Sequence, residues 1–451
     1  MKQKRGSFSG GIGFVLAAAG SAVGLGNLWR FPYLAAQYGG GIFILVYIIL
    51  ALTFGFALMT TEVAIGRKTG LSPVRAYAVL NEKYAGLGYL SIFVPFIILP
   101  YYCVIGGWVL KYMTASISSD FMAAAGDNYF GNFIGSTYAP LVFFLIFLLA
   151  TAGVILGGVQ KGIERVSKFL VPLLLILTIG IAIYTMTIPG AMEGVKYYLL
   201  PDFSKFSIKT VCAAMGQMFF SMSLAMGIMV TYGSYTKKEI DLNKSVNQIE
   251  IFDTVVALLA GLMVVPAVYV FSGEEGLGSS GAGLMFQTLP KVFASMPAGK
   301  VIAILFFVLV FLAALTSAIS VMEALVSALI DKFHISRNKA AIIIFSTSVI
   351  LGIPSSLGNG IWANIKLLGM DFLTFFDYLS NSVLMPLVAL LTCILVGWRI
   401  GTKPIEEEMT RNGEKFGRRS IYRVMIKYIA PVFLVIILVF YTLAQFGIIQ
   451  Y

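Results

Sequence analysis

Two short stretches of this sequence gather backbone and hydroxyl oxygens in otherwise apolar surroundings. They are Gly20-Ser-Ala-Val-Gly-Leu-Gly-Asn27 and Phe219-Phe-Ser-Met-Ser-Leu-Ala-Met-Gly227. Glycine costs about 1 kcal/mol against alanine within a helix, so Gly24 and Gly26 are places where a helix can unwind. Unwound backbone deep in a membrane persists only where it lines a cavity enclosed by protein. Half-helix N-termini there offer N–H groups to a carboxylate, and freed carbonyls can hold a cation. The other reading of the first stretch is a small-residue seam between packed helices. Thr316 and Ser317 add two hydroxyls, which either join such an oxygen shell or bond back to their own helix. Glu62, Asp253, Glu323 and Asp377 lie within or at the edge of apolar runs, where ionisable side chains mark functional sites. No basic residue is expected at the depth of Glu62, Asp253 or Glu323. These three are then either protonated or satisfied by hydroxyls, backbone donors and bound cations. The chemistry indicated is carriage of a small anion-bearing solute coupled to a cation.

Other chemistries find no support. Cys103, Cys212 and Cys393 share no metal-like spacing. The only histidine, His334, sits in a charged turn and reads as a solvated loop residue. No Ser/His or Cys/His pair can serve as nucleophile and base, and no phosphate loop occurs, so an enzyme is not expected. No organic cofactor and no nucleic-acid partner is implied.

The elements that must position these residues are membrane helices. The chain has 451 residues, 59% hydrophobic and 12% charged, against about 25% charged in a soluble domain. Too little polar surface remains to cover a water-soluble particle of this length. At about 20 apolar residues per span, eleven spans are predicted near 11–36, 41–66, 87–114, 139–158, 164–188, 209–233, 247–272, 298–331, 339–353, 372–398 and 424–447. Pro354 is expected to end the ninth. The formal charge of +11 is distributed unevenly: 24 basic residues fall on one side of the alternating spans and eight on the other. That bias places the N-terminus in the cytoplasm and the tail from Gly447 to Tyr451 outside, in a multi-pass cell-membrane protein whose partner is the lipid bilayer. The interrupted spans, one and six, occupy corresponding positions if the first ten form two halves of five. Paired interruptions of that kind point to a secondary-transporter site.

Several motifs carry a family resemblance. Gly24-Leu-Gly-Asn-Leu-Trp-Arg-Phe-Pro32, Gly39-Gly-Gly41, Glu62-Val-Ala-Ile-Gly-Arg67, Tyr101-Tyr-Cys-Val-Ile-Gly-Gly-Trp108, the sixth-span stretch and Gly283-Leu-Met-Phe-Gln-Thr-Leu-Pro290 resemble the neurotransmitter:sodium symporters. Eleven spans are similar to the bacterial members that import hydrophobic or aromatic amino acids. The resemblance implies an all-α fold of two inverted five-helix repeats, residues 1–189 and 190–400 with an extracellular loop at 273–297. A basic loop and one extra helix would follow at 401–451. No obligate protein partner is implied.

The same resemblance assigns roles to particular residues of this sequence. A first sodium site would use the Ala22 carbonyl, Asn27, Ser221 and Asp253, the last at a position that is usually asparagine. A built-in carboxylate there replaces the chloride that some family members need, which implies chloride independence. A second sodium site would use the carbonyls of Gly20, Val23 and Ala313 with the Thr316 and Ser317 hydroxyls. Gly24 stands where monoamine transporters hold an aspartate, so the substrate must bring its own carboxylate. That carboxylate would meet the first sodium, the freed N–H groups around Leu25 and Gly26, and the Tyr102 hydroxyl. Carbonyls of Ala22, Phe220 and Ser221 would take the ammonium, Ile98, Phe220, Ser223, Met226 and Val321 would line the side-chain pocket, and Ser317 would border the substrate as well as the second sodium. Arg30 and Asp377 would gate the outer side, with Phe220 and Tyr102 as an aromatic lid. Arg5 and Asp331, supported by Ser234, Tyr235 and Glu323, would gate the inner side. Glu62 would cap backbone donors at the hinges. Gly162 and Pro172 either permit the fifth helix to unwind or mark a helix start and a proline kink. The alternatives are proton coupling, or a substrate receptor or channel on the same fold.

Overall fold

The computed structural model describes residues 6–277 and 281–445, and among these the chain is helical without a strand. Helix α1 (Gly11–Ala22) and helix α2 (Gly26–Gln37) meet at a bend of 48°. They are followed by α3 (Gly41–Thr69), α4 (Glu82–Ile117), α5 (Ala139–Leu156) and α6 (Val159–Met186). Then come α7 (Ile208–Ser221) and α8 (Ile228–Ser234), separated by six residues. The remaining long elements are α9 (Leu242–Gly273), α10 (Gly299–Phe333), α11 (Arg337–Leu357), α12 (Phe372–Arg399) and α13 (Arg419–Leu443). By length and apolarity, nine of the described helices can cross a membrane, or ten if α1 and α2 form one span. The expected sixth span is the one outside this number, because neither α7 nor α8 is long enough alone.

Which helices are central follows from their packing. The apolar stretches of α4 and α10 are 83% and 72% buried, whereas those of α5 and α6 are each 33% buried. Helices α5 and α6 therefore turn most of their aliphatic surface outward, where lipid replaces protein as the apolar partner. Helix α4 lies along α10, and α8 lies along the second half of α3. The turn into α3 depends on glycine. Gly39 and Gly40 have φ of 94° and 59°, and a Cβ on Gly40 would collide with the Tyr197 carbonyl.

One expectation about element ends is corrected. Pro354 does not end the ninth span; α11 continues to Leu357, and the Gly358 N–H closes the helix on the Pro354 carbonyl at 2.9 Å. Proline removes only the donor to the preceding turn and leaves its own carbonyl free to accept. His334, with φ of 53°, ends α10 in the left-handed conformation and is exposed.

At the end of the bundle that carries most of the basic residues, the chain after α12 is fastened across α3 and α9. Arg67 is buried, its Nε donates to Glu408 Oε1 at 2.7 Å, and its Nη atoms donate to the carbonyls of Ile240 and Glu408. Arg418 donates to Glu250 at 2.9 Å and lies 3.5 Å above the Phe56 ring. Asn243 donates to the Met409 carbonyl at 2.6 Å. Removing one member of a buried pair leaves an uncompensated charge, at a cost of about 3–5 kcal/mol. Arg67→Ala and Glu408→Ala should each lower the thermal midpoint of the purified protein sharply. The apolar pair Arg67→Met with Glu408→Leu should lower it less than the two single losses added together.

Glu406, in the same strap, carries a pH dependence. Burial alone pushes its carboxyl up, but hydrogen bonds from Arg423, Thr402 and Arg419 outweigh that and hold it at about 2, against an ordinary 4.5. A depressed folded pKa stabilises above the unfolded value, and that contribution is lost as pH falls toward the folded one. Acidification from pH 5 to pH 2.5 should therefore destabilise the wild type more than Glu406→Gln, read as the difference between their unfolding midpoints.

Candidate functional site

The two interruptions face each other inside the bundle. Between α1 and α2, Val23 leaves the helical region with ψ of 93°. Between α7 and α8, Ser223, Ala225 and Gly227 all take positive φ, at 54°, 61° and 70°. Such angles are strained for serine and alanine and persist where surrounding contacts hold them. Those contacts are visible. The Ala225 N–H donates to Glu62 Oε1 at 2.7 Å, and Ser223 Oγ donates to the Ser21 carbonyl at 3.0 Å. The Leu25 N–H donates to the Tyr102 hydroxyl at 3.3 Å, and the Gly24 N–H to Asn27 Oδ1 at 3.4 Å. Gln217 Nε2 donates to the Gly26 carbonyl at 2.8 Å.

A cleft of about 20 Å³ lies between the breaks, and eleven of the twelve expected substrate residues line it: Ala22, Gly24, Leu25, Gly26, Ile98, Tyr102, Phe220, Ser223, Met226, Ser317 and Val321. This is room for about one water, so a larger solute enters only by displacing side chains such as Phe220 and the flexible Met226. Ser221 is the exception, being turned from the cleft toward Asp253. Gly24 has no room for a side chain: a Cβ there would lie 3.0 Å from the Tyr102 hydroxyl and against Ser317 Oγ. Leu25, Tyr102 and Phe220 also border a second cavity, of about 370 Å³, whose wall includes Arg30 and Asp377. Phe220 and Tyr102 thus stand between the two spaces.

Asp253 is fully buried and joins four elements. Asn27 Nδ2 donates to its Oδ1 at 2.7 Å, Ser221 Oγ approaches both of its oxygens at 2.8 Å, and the Tyr47 hydroxyl donates to Oδ2 at 3.1 Å. Tyr47 was not among the expected site residues. Its signal in the sequence is a lone hydroxyl in the run Gly41-Ile-Phe-Ile-Leu-Val-Tyr-Ile-Ile-Leu50. At the second expected ion position, Ser317 Oγ donates to the Ser21 carbonyl at 2.9 Å and approaches the Gly20 carbonyl at 3.5 Å. Thr316 bonds back to its own helix, to Leu312 and Ala313 carbonyls at 3.1 Å. A Cβ on Gly20 would come 3.5 Å from Thr316 Cβ, so these two positions are neighbours. Val23 donates its N–H to the Ala19 carbonyl at 2.7 Å. Ser21 is a second residue the sequence reading passed over.

The Arg30 guanidinium lies 5.6 Å over the Phe220 ring, and Asp377 accepts from Asn381 at 2.6 Å and Tyr101 at 3.2 Å. Toward the basic end, Asp331 accepts the Ser72 N–H at 2.7 Å, and Tyr235 donates to Glu323 at 2.7 Å. Ser234 Oγ donates to the Thr231 carbonyl at 2.5 Å. Arg5 lies outside the described residues. Glu323 corrects an expectation: it does have a basic partner. Arg337 begins α11 at the water-facing margin, yet its side chain reaches inward, donating to both Glu323 oxygens and to the Ile155 carbonyl at 2.7 Å. Depth counted along the chain misses a long side chain that bends toward the interior. Gly162 lies in the first turns of α6 against the Val154 carbonyl, and Pro172 lies within the same continuous helix. Glu62 keeps one oxygen, Oε2, buried without a hydrogen-bond partner among the described residues.

The model of the sodium:neurotransmitter symporter family matches residues 5–133 and 131–451. An uncharacterized sodium-dependent transporter of Haemophilus influenzae is 34% identical over 453 residues, covering 97% of this chain and 98% of that protein. The human sodium- and chloride-dependent GABA transporter 2 is 27% identical, covering 89% of this chain and 74% of its own. Among solved structures, MhsT in complex with L-phenylalanine is similar at a TM-score of 0.88 and 34% identity, covering 96% of this chain and 99% of that one.

Truncating Asp253 takes the carboxylate from three buried donors at once. It leaves Asn27 with the Asp253 carbonyl at 3.2 Å and the Ser221 and Tyr47 hydroxyls with each other at 3.0 Å, so that one hydroxyl proton is left over, at about 1–3 kcal/mol for an unsatisfied buried donor. Asp253→Ala should therefore lower the thermal midpoint well below that of Asp253→Asn, whose amide oxygen still accepts. Equal midpoints for the two variants would contradict this geometry.

Proposed function

The chain belongs to the sodium:neurotransmitter symporter family and is a sodium-dependent transporter held in a membrane by multiple apolar helices, not an enzyme, and on that premise we propose that it imports neutral hydrophobic or aromatic L-amino acids with sodium, without chloride. The observation that carries this reading is the bare Gly24 at the mouth of an apolar cleft between two interrupted helices. With no side-chain carboxylate at position 24, the substrate supplies that charge itself. The Leu25 N–H and the Tyr102 hydroxyl are its donors, and carbonyls of Ala22, Phe220 and Ser221 take the ammonium. Ile98, Phe220, Met226 and Val321 then meet an apolar side chain, whereas a charged one would be buried without a partner. The solved complex of MhsT with L-phenylalanine supports the same substrate class.

Two sodium ions fit the oxygen-rich positions. The first takes the Ala22 carbonyl, Asn27, Ser221 and Asp253; the second takes carbonyls of Gly20, Val23 and Ala313 with the Thr316 and Ser317 hydroxyls. Oxygen-only sets suit a hard cation. Asp253 supplies the balancing negative charge, so no chloride is required. Counting α1 with α2 and α7 with α8 as interrupted spans gives eleven, arranged as two five-helix repeats with α13 added. The excess of basic residues on one side puts the N-terminus in the cytoplasm. Arg30, Asp377, Phe220 and Tyr102 close the outer path. Arg5, Asp331, Tyr235, Glu323 and Arg337 close the inner one. Glu62 steadies the hinge at Ala225, and the α6 segment from Gly162 to Pro172 loosens to free the second ion. A second reading, proton coupling, draws on the unpartnered Glu62 oxygen.

The test is a thermal-shift screen of the twenty amino acids with and without sodium, followed by uptake into liposomes. Leucine, phenylalanine, tyrosine or tryptophan should stabilise the protein only with sodium, and a sodium gradient alone should drive uptake. Stabilisation by glutamate or lysine would overturn the pocket assignment, and uptake driven by a proton gradient without sodium would favour Glu62. Replacing chloride by gluconate should leave wild-type uptake unchanged and reduce that of Asp253→Asn. Loss of wild-type uptake in gluconate, unaltered in that variant, would sink the chloride argument.

A further inference from the structure

Away from the transport cleft, α12 and α13 leave a groove of about 680 Å³ on the outer face of the bundle. Its walls are Leu390, Ile394 and Trp398 from α12 and Val432 and Ile436 from α13, with Arg399 closing one end. Residues four apart share a helix face, so each helix presents one continuous apolar stripe. From Leu390 to Trp398 the stripe runs about 12 Å at 1.5 Å per residue, most of the depth of one leaflet, about 15 Å. Arg399 is the only charged residue in the lining, and no carboxylate joins it.

The charges around that end are unevenly committed. Glu406 and Glu408 are buried in the strap, paired with Arg419, Arg423 and Arg67. Glu407 sits 3.8 Å from Lys403. Neither Arg399 nor Lys427 has an ion-pair partner among the described residues. Trp398 and Tyr428 stand beside them, 66% and 59% exposed, with ring centroids 6.2 Å apart, and the Trp398 indole donates to the Lys427 carbonyl at 2.9 Å. An apolar stripe that ends in tryptophan, tyrosine and unpaired cations matches the layering of a membrane boundary.

We propose that this groove is a binding site for an anionic phospholipid. One acyl chain lies along the α12 and α13 stripes. The phosphate is held by Arg399, whose planar fork suits phosphate oxygens, with Lys427 beside it. A zwitterionic phospholipid carries the same phosphate but brings its own ammonium into the field of two unpaired cations, so the site discriminates by headgroup charge.

The experiment is native mass spectrometry of the full chain, titrated with phosphatidylglycerol, phosphatidylcholine or water-soluble glycerol phosphate. The wild type should retain phosphatidylglycerol in preference to phosphatidylcholine and should not retain glycerol phosphate. Arg399→Gln should cut phosphatidylglycerol retention about five-fold, the effect of one basic contact at an anionic surface. Lys403→Gln, a charge change outside the groove, should not alter it. Val432→Trp fills the apolar stripe and should cut retention of the lipid while leaving both cations in place. Arg399→Lys, which preserves the charge, should keep the preference should Arg399→Gln fail to fold. Equal retention of the two lipids by the wild type, unchanged retention in both Arg399→Gln and Val432→Trp, or glycerol phosphate competing as well as the lipid would each overturn the proposal.

Discussion

Backbone groups released inside an apolar bundle must find partners, and most of the site exists to supply them. Water would satisfy the N–H and C=O groups freed at residues 22–26 and 222–227, but the interior offers only side chains. The Leu25 N–H has Tyr102, the Gly24 N–H has Asn27, and the Ala225 N–H has Glu62. The Ser21 carbonyl accepts from both Ser317 and Ser223, and the Gly26 carbonyl accepts from Gln217. These partners come from α2, α3, α4, α7 and α10 and from the second interruption itself, so the two breaks are also the knots that hold those helices in register. Freed N–H groups can pair equally with a solute's carboxylate, and freed carbonyls with a cation, which is why a transport site can be built at a place of broken helix.

Three buried carboxylates show three ways of meeting the cost of desolvation. Asp253 collects neutral donors from Asn27, Ser221 and Tyr47, leaving a negative centre that a cation can share. Glu323 is neutralised by Arg337 and receives Tyr235, which suits a closed and static junction. Glu62 receives one backbone N–H, and its other oxygen has no hydrogen-bond partner among the described residues. Residue type is the same or nearly so in all three; the neighbours decide whether the carboxylate meets neutral hydroxyl and amide donors, an arginine, or a single backbone N–H.

At the basic end, the strap after α12 gives the same physics a structural use. Arg67, Arg418, Arg419 and Arg423 are absorbed by Glu408, Glu250 and Glu406. Arg399 and Lys427, beside Trp398 and Tyr428, have no ion-pair partner among the described residues. The 24 basic residues on one side of the spans therefore mix two populations: arginines that hold helices together and cations without an ion pair among the described residues.

The sequence by itself determined the class, the helices and the location of the breaks. An apolar chain with so little charge can fold only as membrane helices, and Gly24, Gly26 and the Ser221–Ser223 stretch mark where a helix is weakest. Those are local properties, carried by composition and spacing. Motif resemblance then named nearly the whole cleft lining. What sequence spacing missed is what depends on reach across the bundle: Tyr47 meeting Asp253, Ser21 meeting Ser317, and Arg337 meeting Glu323 from the margin of another helix. It also misjudged Pro354, because the free carbonyl that lets α11 finish its last turn matters only once the helix is built. Only tertiary structure decides such pairings, since a hydrogen bond requires two atoms within about 3 Å, and packing alone sets that distance for residues on different helices, whether 14 positions apart in the chain, as Arg337 and Glu323 are, or 296, as Ser21 and Ser317 are.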